Sequence, residues 1–232
     1  MSNSYKYKLL LEGRDDQYVM QSLLKHHGIS CLIPDRKKIK MVDDNTISIE
    51  QQGGFNNLRK RLFIKVNDPQ IERIGIIVDA DDPDDPSVNI SNRWKSLKGV
   101  LNKFDRASLP DDPTPSGTIA TLQRGELAPV VVGIWIMPDN QSPGALEDFV
   151  KHLVPPDTTS LWTRAEECVD QIPDEERLFR PIDTQKAYLA TWLAWQKYPG
   201  IPLGAAISQR YLDADTPHAL KLIDWIQRLF KL

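Results

Sequence analysis

Cysteine is nearly missing: the 232 residues contain two, Cys31 and Cys168. They stand far apart and form no CxxC pair, which argues against a disulfide framework and a thiolate zinc site and points to a reducing, cytoplasmic compartment. Long apolar runs are also missing. The most apolar stretch, PVVVGIWIMP at 129–138, falls far short of the ~20 residues that a bilayer span needs, so no membrane partner is expected. The opening MSNSYKYKLLLEGRDD has a short apolar run that ends in charge without a small-residue cleavage site, which argues against secretion. Histidine is scarce as well. His26, His27, His152 and His218 show no ligand spacing, and none is assigned to metal or base chemistry. There is no GxxxxGK phosphate loop, no repeat of fixed period and no low-complexity segment.

What is present is the balance of an ordinary folded protein, with 41% hydrophobic and 26% charged residues. The length suits one large domain or a domain with a smaller appendage. The net charge of −3 conceals an asymmetry: residues 1–70 hold 12 Lys and Arg against 8 Asp and Glu, and the remainder 17 against 24. Such a basic excess can collect phosphates, but it is weaker than the footprint of a dedicated nucleic-acid binder.

Periodicity predicts strands alternating with helices. YKYKLLLEG reads as a first strand, and DDQYVMQSLLKHHG as a helix stopped by Gly28. A short strand is expected within 39–50, followed by a glycine turn and a helix in GGFNNLRKRLFIKV. IGIIV at 74–78 and PVVVGIWIM at 129–137 read as strands buried on both faces. SNRWKSLKGVLNKF reads as a helix capped by Ser91, and SPGALEDFVKHLV as one opening at Pro143. Crossover connections then imply a mostly parallel sheet with helices on both faces. The predicted core spans 1–157 with a long excursion at 105–129, and 158–232 reads as a C-terminal helical extension.

Acids gather where strands end. Glu12 follows the first strand, Asp79 and Asp81 end IGIIV, and Asp139 follows the strand at 129–137. If the strands are parallel, these exits share the rim where ligands bind in open α/β sheets. Alternate residues of an extended segment face the same way, so Asp79 and Asp81 can point into one site. Close carboxylates repel, so either one takes up a proton or a cation sits between them. An all-oxygen donor set favours Mg2+ or Mn2+ over zinc. The competing reading makes Asp82, Asp84 and Asp85 part of a solvated turn, and Glu12, Asp15, Asp16, Glu147 and Asp148 ordinary helix-entry acids.

LLLEGRDD, IIVDADDP and SPGALEDF together resemble the TOPRIM domain, the metal-binding α/β module of topoisomerases, bacterial primases and OLD-type nucleases. That resemblance implies a TOPRIM-like Rossmannoid core with Glu12, Asp79 and Asp81 at the metal site. The nuclease branch implies Asp16 as a further acid, with Asp139 or Glu147 as the last contribution. The tail KAYLATWLAWQKYPGIPLGAAI is similar to that of an uncharacterised bacterial family of small TOPRIM-related proteins. OLD-type nucleases carry an ATPase domain, so the missing phosphate loop implies that any ATPase is a separate protein.

The expected chemistry is Mg2+- or Mn2+-dependent phosphodiester hydrolysis of nucleic acid, with one ion or two about 3.5–4 Å apart. Glu12, Asp79 and Asp81 would hold one ion, and Asp16 with Asp139 or Glu147 the second, while Lys186 would meet charge developing on phosphate. The basic residues Arg36, Lys37, Lys38, Arg59, Lys60 and Arg61 would steer the backbone, unless they form a solvated face. The rival expectation is a non-catalytic TOPRIM-like subunit that docks on a separate ATPase.

Overall fold

The protein is described by a computed structural model over residues 5–34, 43, 45–81, 85, 87–105 and 107–232. Among the described residues six strands form one sheet: β1 (Tyr7–Leu11), β2 (Cys31–Leu32), β3 (Ile47–Gln51), β4 (Arg73–Asp79), β5 (Thr118–Arg124) and β6 (Leu127–Met137). Their order is β2-β3-β1-β4-β6-β5. All neighbouring pairs are parallel except β5 and β6, which form an antiparallel hairpin at one edge.

Side chains alternate across the sheet, and each face has its own apolar layer. Leu10, Ile76 and Ile134 face α2 (Phe55–Val66) and α3 (Ile90–Leu101), where Leu58, Leu62, Trp94 and Leu97 are buried. Leu9, Leu11 and Trp135 face the opposite layer. That layer is built from α1 (Arg14–His26), α4 (Leu146–Lys151), α5 (Thr159–Asp170), α6 (Thr184–Ala194), α7 (Leu203–Ser208) and α8 (Pro217–Phe230). The fold is therefore a mixed α/β protein with a mostly parallel sheet covered on both sides. Among the described residues, no helix is long and apolar enough to cross a membrane.

The last helix belongs to the layer lying directly on the sheet. Pro217 occupies the first turn of α8, and the Thr216 side chain accepts the Ala219 N–H at 3.3 Å, so its start is written in the sequence. Its apolar stripe then meets a shallow place in the sheet, because Gly75 and Gly133 are partners across β4 and β6. A Cβ added to Gly133 would stand 2.6 Å from Leu229 Cδ2 and 2.9 Å from Trp225 Cζ2. Gly133→Ala is thus expected to push α8 off the sheet and cost about 1–3 kcal/mol. A lower urea midpoint with an unchanged slope is the corresponding measurement.

Three boundaries differ from the sequence reading. The stretch 105–129 is not a continuous excursion: it holds β5, which turns into β6 through Gly125 at φ +59. Polar Thr118, Thr121 and Gln123 hide that strand, because an edge strand is only partly covered and its sequence needs little apolar content. Helix α3 is capped by Asn89, whose side chain accepts the Asn92 N–H at 3.1 Å, and Ser91 lies inside the helix. Helix α4 begins at Leu146, so Pro143 precedes its first turn instead of opening it.

Candidate functional site

The carboxyl ends of β1, β3 and β4 share one rim, since Leu11 is level with both Gln51 and Ile77. Glu12 leaves β1 at that rim. Its carbonyl accepts the N–H groups of Gly53 and Gly54 at 3.0 and 2.9 Å. Both glycines have positive φ, +75 and +97, a backbone region that costs glycine almost nothing. This turn aims the start of α2 at Glu12, and Glu12 Oε1 accepts the Asp79 N–H at 3.0 Å. Asp79 Oδ1 in turn accepts the Leu146 N–H at 3.0 Å, which ties the end of β4 to the first turn of α4. Ala80 and Asp81 donate their N–H groups to Gly144 O at 3.0 and 3.3 Å.

A cleft of ≈ 590 Å³ opens on this rim, lined by Glu12, Asp16, Asp79, Asp81 and Glu147, with Arg93, Gln185 and Lys186 among its other residues. The starts of α1, α2 and α4 all border it, so positive helix ends surround a negative centre. Those dipoles do not offset the crowding. Burial, then the carboxylates of Asp16, Glu12 and Glu147, push the Asp79 carboxyl well above its ordinary range. Burial lifts Glu12 to about 7, against the lowering influence of Arg93. Burial also raises Asp16, against the pull of nearby backbone amides, and raises Glu147, against Lys186. Asp81 is raised by burial and by the Asp148 carboxylate, against the Gly144 amide and Arg93.

Two buried acceptors bordering this cleft find no donor among the described residues: Asp16 Oδ1 and Gln185 Oε1. A buried unpaired acceptor is costly, and a cation or a cation-bound water is what would satisfy it. The cluster is nevertheless open. Among the described residues, no three of these acids bring oxygens within 4.8 Å of one another.

The structure brings together Glu12, Asp16, Asp79, Asp81 and Glu147, and it removes Asp139 from the set. Burial alone would raise Asp139, but its carboxylate accepts from Ser142 N at 2.7 Å, Gln141 N at 3.0 Å and Ser142 Oγ at 3.1 Å, which holds it below its ordinary value. It serves the turn after β6 and does not line the cleft. Asp139 is therefore corrected from a site acid to a turn residue. Lys186 stands at the cleft mouth, 3.8 Å from Glu147 Oε1 and 3.6 Å from Asp183 Oδ1. Arg59, Lys60 and Arg61 are exposed on α2, and none of them lines the acidic cleft. Arg59 borders a neighbouring groove with Asn92 and Ser96. Arg36, Lys37 and Lys38 lie outside the described residues, as do Asp82 and Asp84. Asp85 is exposed and accepts the Ser87 N–H at 3.0 Å and its hydroxyl at 2.6 Å, the solvated turn that Asp and Pro favour.

The sequence reading missed Arg93 and Gln185. Arg93 is 3% exposed, lies 4.1 Å over the Phe55 ring, and donates from Nε to Asp79 O at 3.1 Å and from Nη2 to Asp81 O at 2.9 Å. A signal for it existed, since Arg93 is four residues before Leu97 and eight before Leu101 on the buried stripe of α3. Gln185 had no such signal, because only tertiary packing brings the start of α6 to the strand rim.

Residues 6–231 match the family described as "Protein of unknown function (DUF3226)". The chain belongs to the DUF3226 family. No curated protein matches it. Among solved structures, the family member is similar to a citrate-bound, domain-swapped dimer of a domain of unknown function (DUF1537) from Bordetella bronchiseptica, at 11% identity and a TM-score of 0.28. The likeness covers 56% of this chain and 36% of that one.

Proposed function

We propose that the cleft holds Mg2+ or Mn2+ on Glu12, Asp16, Asp79 and Glu147, and that the protein hydrolyses phosphodiester bonds of nucleic acid there. The observation that carries this reading is the convergence of four mutually repelling carboxylates beside unsatisfied Asp16 Oδ1. The donors are all hard oxygens, which suits these cations. The open spacing suits them too, since Mg2+ characteristically takes one or two carboxylates and completes its shell with water and substrate phosphate. A bound cation would supply an activated water and neutralise charge on the scissile phosphate. The chain's own residues do the rest. Arg93 holds the Asp79 and Asp81 carbonyls in place, and Lys186 stands where a phosphate oxygen would meet the mouth of the cleft. Asp81, beside Asp148, would border the ion site without being central to it.

A second reading, a non-catalytic subunit docked on a separate ATPase, draws support from apolar side chains exposed along residues 178–198. Leu178 is 98% exposed, and Ile182, Trp195 and Tyr198 are exposed with it. The two readings part in one assay. The hydrolase is expected to cut single- or double-stranded DNA or RNA in Mn2+ or Mg2+ and not in EDTA, with Glu12→Gln slowing cleavage by roughly a hundredfold or more. If Mn2+ raises the melting temperature and no polynucleotide is cut, the docking role stands instead. If Mn2+ changes neither, the cleft is not an ion site.

A further inference from the structure

A second constellation of ligand atoms lies at the far end of α1, about 18 Å along the helix from the carboxylate cleft. His26 and His27 end that helix, and the connection between α7 and α8 brings Asp215 against them. One ring nitrogen from each histidine and one carboxylate oxygen all lie within 4.8 Å of one another, the only such trio among the described residues. We propose that His26, His27 and Asp215 form a surface site for a borderline divalent cation, zinc being the best fit, which clasps the end of α1 to the start of α8.

Four observations support this. His26 Nε2 is already 3.0 Å from Asp215 Oδ2. A tetrahedral zinc with bonds of about 2.0–2.1 Å holds its ligand atoms about 3.3 Å apart, so the trio closes by an inward adjustment of the exposed His26 and Asp215 side chains toward His27. The His27 ring is anchored, since its Nε2–H donates to Ala214 O at 3.0 Å and leaves the lone pair on Nδ1. A backbone carbonyl in that role is the usual way a metal-binding imidazole is oriented. Asp215 is also set in place: its N–H donates to Asp213 Oδ1 at 2.8 Å, and the next residue, Thr216, caps α8. The electrostatics favour a cation as well, because the negative end of α1 and the carboxylates of Asp213 and Asp215 share this corner.

Two nitrogens with one oxygen differ from the all-oxygen cleft and select zinc over Mg2+. His26 and Asp215 are both exposed, so a solvent water can fill the fourth position. The consequence is mechanical. The helix that carries Asp16 at one end would be pinned at the other to the helix that covers β4 and β6.

The test uses the full chain stripped with EDTA and titrated with ZnCl2 by calorimetry, in parallel with Asp79→Asn, Asp215→Asn and the double variant His26→Ala/His27→Ala. The parent and Asp79→Asn are expected to bind one histidine-dependent zinc. Affinity should fall by roughly tenfold or more in Asp215→Asn and in the double variant. Zinc at a hundredfold excess over its dissociation constant should raise the melting temperature of Asp79→Asn by roughly 5–10 °C, a shift that should vanish when His26→Ala/His27→Ala is added to that variant. Circular dichroism of the metal-free variants establishes that they fold as the parent does. Equal zinc affinity in the parent and the double variant, or no zinc bound by the parent, overturns the proposal. Neither result bears on the carboxylate cleft, whose own test is cleavage and the response to Mn2+.

Discussion

Asp79→Asn is expected to melt above the parent protein at pH 8 in EDTA, and to forfeit most of the stabilisation that Mn2+ gives the parent. Asparagine keeps the shape and an acceptor for the Leu146 N–H, which is 3.0 Å from Asp79 Oδ1. What it removes is one of four carboxylates that disfavour each other's charge. Burial first, and then Asp16, Glu12 and Glu147, hold the Asp79 carboxyl well above its ordinary range. Relief of such a functional strain is commonly worth about 0.5–2 kcal/mol, which at this chain length is roughly 1–8 °C in Tm. The same change would take away a central ligand of the proposed ion, so any metal-dependent cleavage should fall by roughly a hundredfold or more. Differential scanning fluorimetry with and without MnCl2 reads the first effect and a nuclease assay the second. A variant that melts below the parent in EDTA would show that Asp79 stabilises the fold and does not strain it.

The metal-free protein should also lose stability as pH rises from about 5 to 8. Glu12 carries a folded-state value of about 7 against an ordinary 4.5. A group raised on folding contributes stability that is fully present below its unfolded value and is lost as pH climbs through the folded one. For Glu12 alone that loss amounts to about 3 kcal/mol. Asp16, Asp79, Asp81 and Glu147 are raised too and act in the same direction. Glu50 and Asp139 act oppositely, being held below their ordinary values, Glu50 by Lys65 and Lys8 against its burial. Their contribution is present above the ordinary carboxylate range and is lost in stronger acid, and His152, held below its ordinary value by burial and by His218, gains stability as pH rises through the ordinary histidine range and offsets part of the alkaline loss. Saturating Mg2+ or Mn2+ should flatten or reverse the alkaline slope, because cations bind the ionised carboxylates. Melting curves at half-unit steps from pH 4 to 9, in EDTA and in MnCl2, give the comparison. Parallel profiles in the two conditions would exclude the cleft as the ion site.

The zinc trio shows why spacing along a chain is a poor guide to a composite site. His26 and His27 are adjacent, and nothing near them in sequence supplies a third ligand. Asp215 arrives from 188 residues away through the packing of α1 against α7 and α8. Gln185 reaches the cleft in the same manner, from a helix whose own sequence says nothing about the strand rim. The case of Asp139 runs the other way. Its place after a buried strand suggested a ligand, but the local turn offers three donors within reach, and these claim the carboxylate before it can turn toward the cleft.

The sequence by itself determined the alternation of apolar strands and amphipathic helices, the parallel sheet that this alternation implies, and the delivery of Glu12, Asp16, Asp79 and Asp81 to strand exits and helix starts. These follow from periodicity and chain connectivity, which are local properties. Tertiary structure alone decided which acids meet, that Arg93 holds the Asp79 and Asp81 carbonyls, that α8 lies in the hollow left by Gly75 and Gly133, and that two histidines at a helix end meet an aspartate from the last connection. Such choices depend on how helices settle on a twisted sheet, where a missing Cβ or a satisfied turn directs a side chain, and no pattern along the chain encodes that distance.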